Sequence, residues 1–411
     1  MKPQIYIVQD GEELTKEVEH LFEDIFSYND VRISSKKKLS NFVGFIFHES
    51  NWLVSFPKHY FDYKNKPLIA EPSDIETLFK CLMKYNSYHP IEFGKEDVNN
   101  SSYPLKYFFN IYDYYKKYGL YYIEEKNKSF GYNGKIIWKE TLQKSSQVIS
   151  DGNIIYIPPI VQKNNMDYDF VTKCMAYAID NTIEQFKKLL KLERTNFDIS
   201  GVDWEKKDAI IRRLKKIERE TFKDKHLRLI KNLICFFQDI PSGKGQYVFK
   251  TNNFKFLWEE MMSFYINNYL LFESESNNIY FSDDKLLIPH NFKKERFYPD
   301  ARRKSKSRRL EPDLFNFINN EMYIYDAKYY SEVKKLDYKQ VSYYFLLKDI
   351  KKTSSEREIL IHNFLFLPTY LDNYQKDHFI LDPFYNNDEE NFVIKEYYVN
   401  AKNVLIKFLN V

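Results

Sequence analysis

Apolar residues recur at helical spacing over residues 14–26 and 74–85, and short apolar runs such as Phe42-Val43-Gly44-Phe45-Ile46-Phe47 and Trp52-Leu53-Val54-Ser55-Phe56-Pro57 stand between polar turns. The first pattern marks amphipathic helices and the second marks strands, so residues 1–120 are predicted to form an α+β domain. A strand-rich stretch over 134–161 and helical patterns over 170–190 and 206–237 fill a middle region, 121–245. The second of those patterns is heavily charged, which predicts a solvated brace or an interface rather than a coiled coil. Pro241-Ser242-Gly243-Lys244-Gly245 is the clearest breaker cluster, and the helix, strands, hairpin and helix that follow set off a third domain, 246–411. The fold class expected is α/β (α+β overall), with a C-terminal mixed central sheet flanked by helices.

Within that third domain, Glu311-Pro312-Asp313-Leu314-Phe315-Asn316-Phe317-Ile318 and Glu321-Met322-Tyr323-Ile324-Tyr325-Asp326-Ala327-Lys328 read as two strands joined by Asn319-Asn320. If those two asparagines are the turn, Ile318 faces Glu321 and counting outward sets Asp313 opposite Asp326. Opposed Cβ atoms lie roughly 5 Å apart, which is repulsive for two carboxylates unless a cation sits between them. Strand alternation puts Lys328 on the face of Asp326 and turns Tyr325 and Ala327 away. Two carboxylates for a hard cation such as Mg²⁺ (with Mn²⁺ as a substitute) and a lysine beside them are the parts that phosphodiester hydrolysis needs. A merely solvated hairpin is the competing interpretation.

Three features favour the catalytic interpretation. Residues 254–268 have helical periodicity and carry Trp258-Glu259-Glu260, so an acid, Glu259 before Glu260, can join Asp313 and Asp326 as a metal ligand. Residues 334–347 form a helical stretch in which Gln340 and Tyr344 share a face at i, i+4. The basic run, with Arg302, Arg303, Lys304, Lys306, Arg308 and Arg309, lies between helix and hairpin, where it can contact DNA phosphates.

Net charge is only +4, so a nucleic-acid footprint has to be local. Three separated cysteines, Cys81, Cys174 and Cys235, fit reduced core thiols and lack zinc or iron–sulfur spacing. No run approaches the ~20 apolar residues of a membrane span, and Met1-Lys2-Pro3-Gln4 does not open a signal peptide, so the expected location is the cytoplasm. Ser242-Gly243-Lys244-Gly245 lacks the phosphate cradle of a nucleotide hydrolase.

The series Pro-Asp, Asp-x-Lys and Gln-x-x-x-Tyr resembles the PD-(D/E)xK nuclease superfamily in its RecB-like variant, in which the helix residues corresponding to Gln340 and Tyr344 abut the site. With Gly134-Lys135-Ile136-Ile137-Trp138-Lys139-Glu140-Thr141-Leu142, Val43-Gly44, Phe56-Pro57-Lys58 and Trp258-Glu259, the chain resembles the LlaJI family of restriction endonucleases, itself similar to McrC nuclease subunits. Trp138 has no chemistry of its own in this picture and is expected to be a core anchor on a strand. The resemblance implies cleavage of double-stranded DNA by a restriction subunit that works with a McrB-like AAA+ GTPase docked on the N-terminal region. Dimerisation is an expected route to double-strand cuts. Direct DNA reading by residues 1–120 is the rival to docking. A RecB- or Cas4-like exonuclease and a catalytically idle DNA-binding adaptor are the alternatives for the whole chain.

Overall fold

The computed structural model describes residues 4–49, 51–62, 64, 67–88, 103–133, 135–150, 152–167, 170–187, 192–240, 247–273, 278–302, 309–318, 321–348, 360–385 and 392–410. Helices and several sheets alternate in an α+β chain that divides into two compact units, residues 1–102 with 244–411 and residues 103–243.

In the first unit, a four-stranded sheet has the order Ile5–Gln9, Asn51–Phe56, Val43–His48, Tyr247–Thr251. The outer pair Ile5–Gln9 and Asn51–Phe56 is parallel, and the other two pairings are antiparallel. The expected break at 245/246 is therefore crossed by hydrogen bonds, because Tyr247–Thr251 completes the sheet begun by the N-terminal strands. Gly44 makes that pairing sterically feasible. Its φ is +136°, and a Cβ there would sit 2.3 Å from the Phe249 carbonyl oxygen. Helix Lys16–Phe22, capped by Thr15, closes one face over Val18, Phe22, Ile46 and Leu53. Helix Pro72–Tyr88 closes the other, with Phe79 against Phe45 and Phe249. It also packs on the C-terminal helix Ala401–Leu409, where the Cys81 thiol donates to the Leu405 carbonyl at 3.4 Å.

The second sheet of this unit has the order Leu314–Ile318, Glu321–Ala327, Leu360–Thr369, Val393–Asn400, Tyr374–Ile380. Its two inner pairings are parallel and its two outer ones antiparallel, so it is a mixed sheet as expected. Alternation along Glu321–Ala327 sorts the faces. Tyr323 and Tyr325 meet Phe292 on one side, and Met322 and Ile324 meet Tyr343 and Leu347 of helix Tyr338–Leu347 on the other.

The second unit, residues 103–243, combines helices Leu105–Tyr118 and Phe170–Gln185, a small sheet in which Ile160–Asp167 lies between Ile123–Phe130 and Lys135–Ile136, and the hairpin Ser146–Ser150 with Asn153–Ile157. Two expectations fail here. Trp138 is no strand anchor: it opens helix Trp138–Lys144 and is 61% exposed. The buried residue of that turn is Thr141, whose hydroxyl accepts the Ile160 N–H at 3.0 Å and ties the helix to the sheet. Residues 206–237 are not one helix but two, Lys207–Glu220 and Asp224–Asp239, because Thr221 is extended and its N–H caps the Glu218 carbonyl. The two helices pack on each other, and Ile210 and Leu214 of the first and Leu229 and Leu233 of the second are buried. Among the described residues no helix is long and apolar enough to cross a membrane.

Candidate active site

The acid hairpin adopts the register counted from its sequence. Ile318 pairs with Glu321 and Leu314 with Tyr325, which leaves Asp313 and Asp326 as the next opposed pair. Each carboxylate takes one backbone N–H from the opposite segment: the Asp313 N–H donates to Asp326 Oδ1 at 3.1 Å, and the N–H of Ala327, the residue after Asp326, donates to Asp313 Oδ2 at 3.1 Å. Both carboxylates are thereby fixed at the mouth of the sheet, Asp326 fully buried and Asp313 partly exposed. Lys328 extends the pairing with Leu360–Thr369 by donating its backbone N–H to the Phe366 carbonyl at 2.8 Å.

Cations gather around this pair. Lys328 Nζ lies 3.1 Å from Asp326 Oδ2 and 3.0 Å from Asp337 Oδ2, Lys339 Nζ lies 3.4 Å from Asp326 Oδ2, and Lys294 Nζ lies 3.6 Å from Asp313 Oδ1. Even so, burial, and then the like charges of Asp326 and Glu259, push the Asp313 carboxyl up to about 7, with Lys294 and Lys339 only partly offsetting them. For Lys328, burial works to lower the pKa, and the carboxylates of Asp326 and Asp337 outweigh it and leave it raised. Acids and lysines are thus interleaved at the site, and Asp313 stays raised in spite of the lysines.

Glu259, on helix Phe254–Tyr269, reaches the same cluster across Lys294, whose Nζ is 3.7 Å from Glu259 Oε2. Burial raises its pKa, and Asp326 adds to that against the lysines Lys294, Lys339 and Lys255. Glu260 instead acts on Lys84, while Glu259 is the one of the two whose charge is felt by Asp313. Among the described residues no group of three or more His, Cys, Asp or Glu side chains is arranged to hold a metal ion. The anticipated Asp313, Asp326, Glu259 set is thus a close pair with a third acid beyond an intervening ammonium. Two oxygen donors under mutual repulsion suit a hard divalent cation, which commonly takes one or two protein carboxylates and completes its shell with water and phosphate.

Gln340 and Tyr344 are both buried. The Gln340 backbone carbonyl accepts from Asn363 Nδ2 at 3.2 Å, while its side-chain amide finds no hydrogen-bonding partner among the described residues. Tyr344 belongs to the apolar cluster of Leu365, Leu367 and Ile394 and stacks on Phe392 at 4.0 Å. Its neighbour Tyr343 takes the field of the acids: burial first, then Asp326 and Asp313, raise its phenol pKa. Three participants were missed, namely Asp337, Lys339 and Tyr343. Asp337 was legible as a cap residue, since its side chain accepts from the Lys339 and Gln340 N–H groups at the helix start. Of the basic run, Arg302 is exposed and Arg309 pairs with Glu311. Arg303, Lys304, Lys306 and Arg308 lie outside the described residues.

The pair opens into a cleft of about 280 Å³, whose lining includes Asp313, Lys328, Lys339, Asn252, Asp10 and Lys58. The N-terminal sheet thus supplies part of the wall. Tyr329, next to Lys328, accepts the Lys58 N–H at 2.8 Å and hydrogen-bonds Asp10, whose carboxyl is raised by burial against the pull of Lys58.

Comparison with curated proteins gives no match. Among solved structures, the chain is similar to one from a half-complex of a tetradecameric assembly of Thermococcus gammatolerans McrB AAA+ hexamers with bound McrC, at 13% identity over 99% of both chains and a TM-score of 0.40. It is also similar to one from the Thermococcus gammatolerans McrBC complex, at 12% identity over 63% of this chain and 86% of that one, with a TM-score of 0.28. The sequence profile of the LlaJI restriction endonuclease matches residues 42–369, most of the length of the chain, and the acid hairpin lies within that span. The chain belongs to the LlaJI restriction endonuclease family.

Proposed function

We propose that this chain is the DNA-cutting subunit of a restriction system, hydrolysing phosphodiester bonds of double-stranded DNA with Mg²⁺, or Mn²⁺ in its place, held by Asp313 and Asp326. The observation that carries the reading is the pair of opposed carboxylates, each fixed by a backbone N–H, from Asp313 to Asp326 and from Ala327 to Asp313, with Asp313 raised to about 7. A hard cation bound there supplies Lewis-acid charge neutralisation at the phosphate and makes water easier to deprotonate. The chain's own groups do the rest. Lys328, held between Asp326 and Asp337, presents its ammonium to the charge that develops on the phosphoryl oxygens. Lys339 and Lys294 are half-exposed and free to exchange their carboxylate contacts for substrate phosphates. Glu259 stands where it can orient water or complete the cation's shell.

A McrB-like AAA+ GTPase is part of the same reading, supported by the family membership and by the lack of a phosphate cradle in the sequence. Docking of that partner through the N-terminal 120 residues also belongs to it, with direct DNA reading there as the rival. The test is plasmid cleavage with Mg²⁺, with and without a candidate AAA+ partner and GTP. Wild type is expected to nick or linearise the plasmid and Asp326→Asn to leave it intact. Equal cutting by the two proteins, or no cutting by wild type under any divalent cation and partner, overturns the assignment.

A further inference from the structure

The unit of residues 103–243 carries a concentration of charge that the candidate active site does not explain. Between residues 206 and 231 stand eleven lysines and arginines against four acids, a net of +7, while the whole chain carries +4. The rest of the chain is therefore net negative, at −3. On helix Lys207–Glu220 the cations Arg212, Lys215, Lys216 and Arg219 fall at i, i+3, i+4 and i+7, one exposed stripe opposite the buried Ile210 and Leu214. None of these four, nor Lys223 in the turn that follows, forms an ion pair with a described residue. That turn also presents Phe222, 92% exposed.

A second feature flanks the same helix pair. Helices Leu105–Tyr118 and Asp224–Asp239 border a groove of about 670 Å³, lined on its basic side by Lys117, Lys225, Arg228 and Lys231. Two acids, Asp113 and Asp224, line it as well. Tyr118 lies under two ammonium groups, Lys225 at 4.7 Å and Lys117 at 5.5 Å from its ring centroid. Ammonium groups held on an exposed aromatic rim have shed none of their charge and are ready to meet phosphates.

We propose that this helical layer binds the phosphate backbone of duplex DNA without regard to sequence, through the Arg212–Lys215–Lys216–Arg219 stripe and the lysine-rich groove beside it. A stripe of unpaired cations that advances about 1.5 Å per residue along a helix matches a polyanion of regular charge spacing. A lipid surface fits less well, because the apolar stripe that a membrane-bound helix needs is already buried within this unit. The choice of DNA over an acidic protein rests on the nuclease reading above: a nuclease gains from a basic face that concentrates its polyanionic substrate.

The experiment uses the full-length chain in EDTA, so that binding is read without cleavage. Fluorescence anisotropy on a duplex of about 30 base pairs, over a range of salt, compares wild type with the Lys215→Ala, Lys216→Ala, Arg219→Ala, Lys223→Ala quadruple variant. Expected are a loss of at least about tenfold in affinity near 0.1 M salt and a fall of roughly 2–4 in the slope of log K against log salt. The Lys215→Arg, Lys216→Arg variant is expected to bind as wild type, with thermal melting unchanged in both. Identical affinity and slope for the quadruple variant and wild type overturn the proposal, as does wild type that binds poly-glutamate or anionic vesicles but not DNA. If DNA binds through this stripe but no divalent cation elicits cutting, the nuclease reading fails and the binding face stands.

Discussion

Two buried lysine–carboxylate groupings in the same unit behave in opposite ways. Asp30 and Lys250 form an ion pair inside the N-terminal sheet, both almost wholly out of solvent. Asp30 also accepts the Ser27 N–H at 2.6 Å and an Asn252 amide hydrogen at 3.0 Å, so one acid meets one base and its remaining lone pairs are satisfied. At the acid hairpin, burial first and then the like charges of Asp326 and Glu259 raise Asp313 to about 7, although three lysines stand nearby. A balanced buried pair holds a fold together. An unbalanced one stores repulsion that a ligand can release, and that difference, rather than the presence of acids and lysines, separates scaffold from candidate site.

The largest expected effects break the two groupings separately. Asp326→Asn keeps the side-chain oxygen that accepts the Asp313 N–H but removes a charge from the pair. Cleavage is expected to fall by at least about 10³-fold, roughly 4 kcal/mol of transition-state stabilisation, with the melting temperature held or raised. Asp30→Asn leaves the Lys250 ammonium buried without its counter-charge, and a loss of about 3–5 kcal/mol in chemical denaturation is expected, with the residual folded protein still cutting. If Asp326→Asn cuts normally, or if Asp30→Asn costs no stability, the contrast between the two sites collapses.

A smaller effect follows from the Asp313 carboxyl. Its folded pKa, about 7, is above the unfolded value of roughly 3.9, so between those values the folded state holds a proton that the unfolded state has lost. Stability in EDTA is therefore expected to fall as pH rises through that window, by at most about 4 kcal/mol, and to level off above it. Millimolar Mg²⁺ at pH 8 is expected to restore it by mass action on the folded state. Asp313→Asn flattens both responses. Melting curves at pH 5.5 and 8, with and without Mg²⁺, read the whole set, and a wild type indifferent to pH and to Mg²⁺ would remove the argument for stored repulsion.

How much of this was legible follows from which physics is local. The hairpin register could be counted because a two-residue turn fixes every opposed pair beyond it, and Asp313 with Asp326 obeyed the count. Several helices were legible from periodicity, among them Phe254–Tyr269, which carries Glu259. What the chain does at long range was not. Tyr247–Thr251 pairs with Val43–His48 across some two hundred residues, and no local pattern announces such a partner. Removing residues 1–120 would therefore strip that strand of its sheet. Trp138 misled because a tryptophan in an apolar run usually anchors a core, whereas Thr141 anchors this one through a hydroxyl. For Gln340 and Tyr344, i, i+4 spacing says that they share a helix face but not what that face meets.

The smallest and most discriminating prediction lies on that last helix. Tyr343 stands in the field of Asp326 and Asp313, and Tyr344 stacks on Phe392 in an apolar cluster. Tyr343→Phe removes a hydroxyl that can orient the acids or their ligands, and a loss of about 10–100-fold in cleavage is expected, as for other groups that position ligands. Tyr344→Phe keeps the stacked ring, and its rate is expected to stay within about threefold of wild type. Gln340 separates function from stability. Its buried amide lacks a partner among the described residues, so as mere scaffold it costs about 1–3 kcal/mol, and Gln340→Leu should stabilise the protein without touching the rate. If the amide serves the site when DNA and cation are present, the same variant gains stability and still loses about 10–100-fold in cleavage. The expected result is the second, since a buried amide kept without a partner is explained by a group that arrives only with the substrate. A stabilised Gln340→Leu enzyme that cuts at the wild-type rate would reduce this helix to a lid over the sheet and leave the acids, with Lys328, as the whole of the machinery.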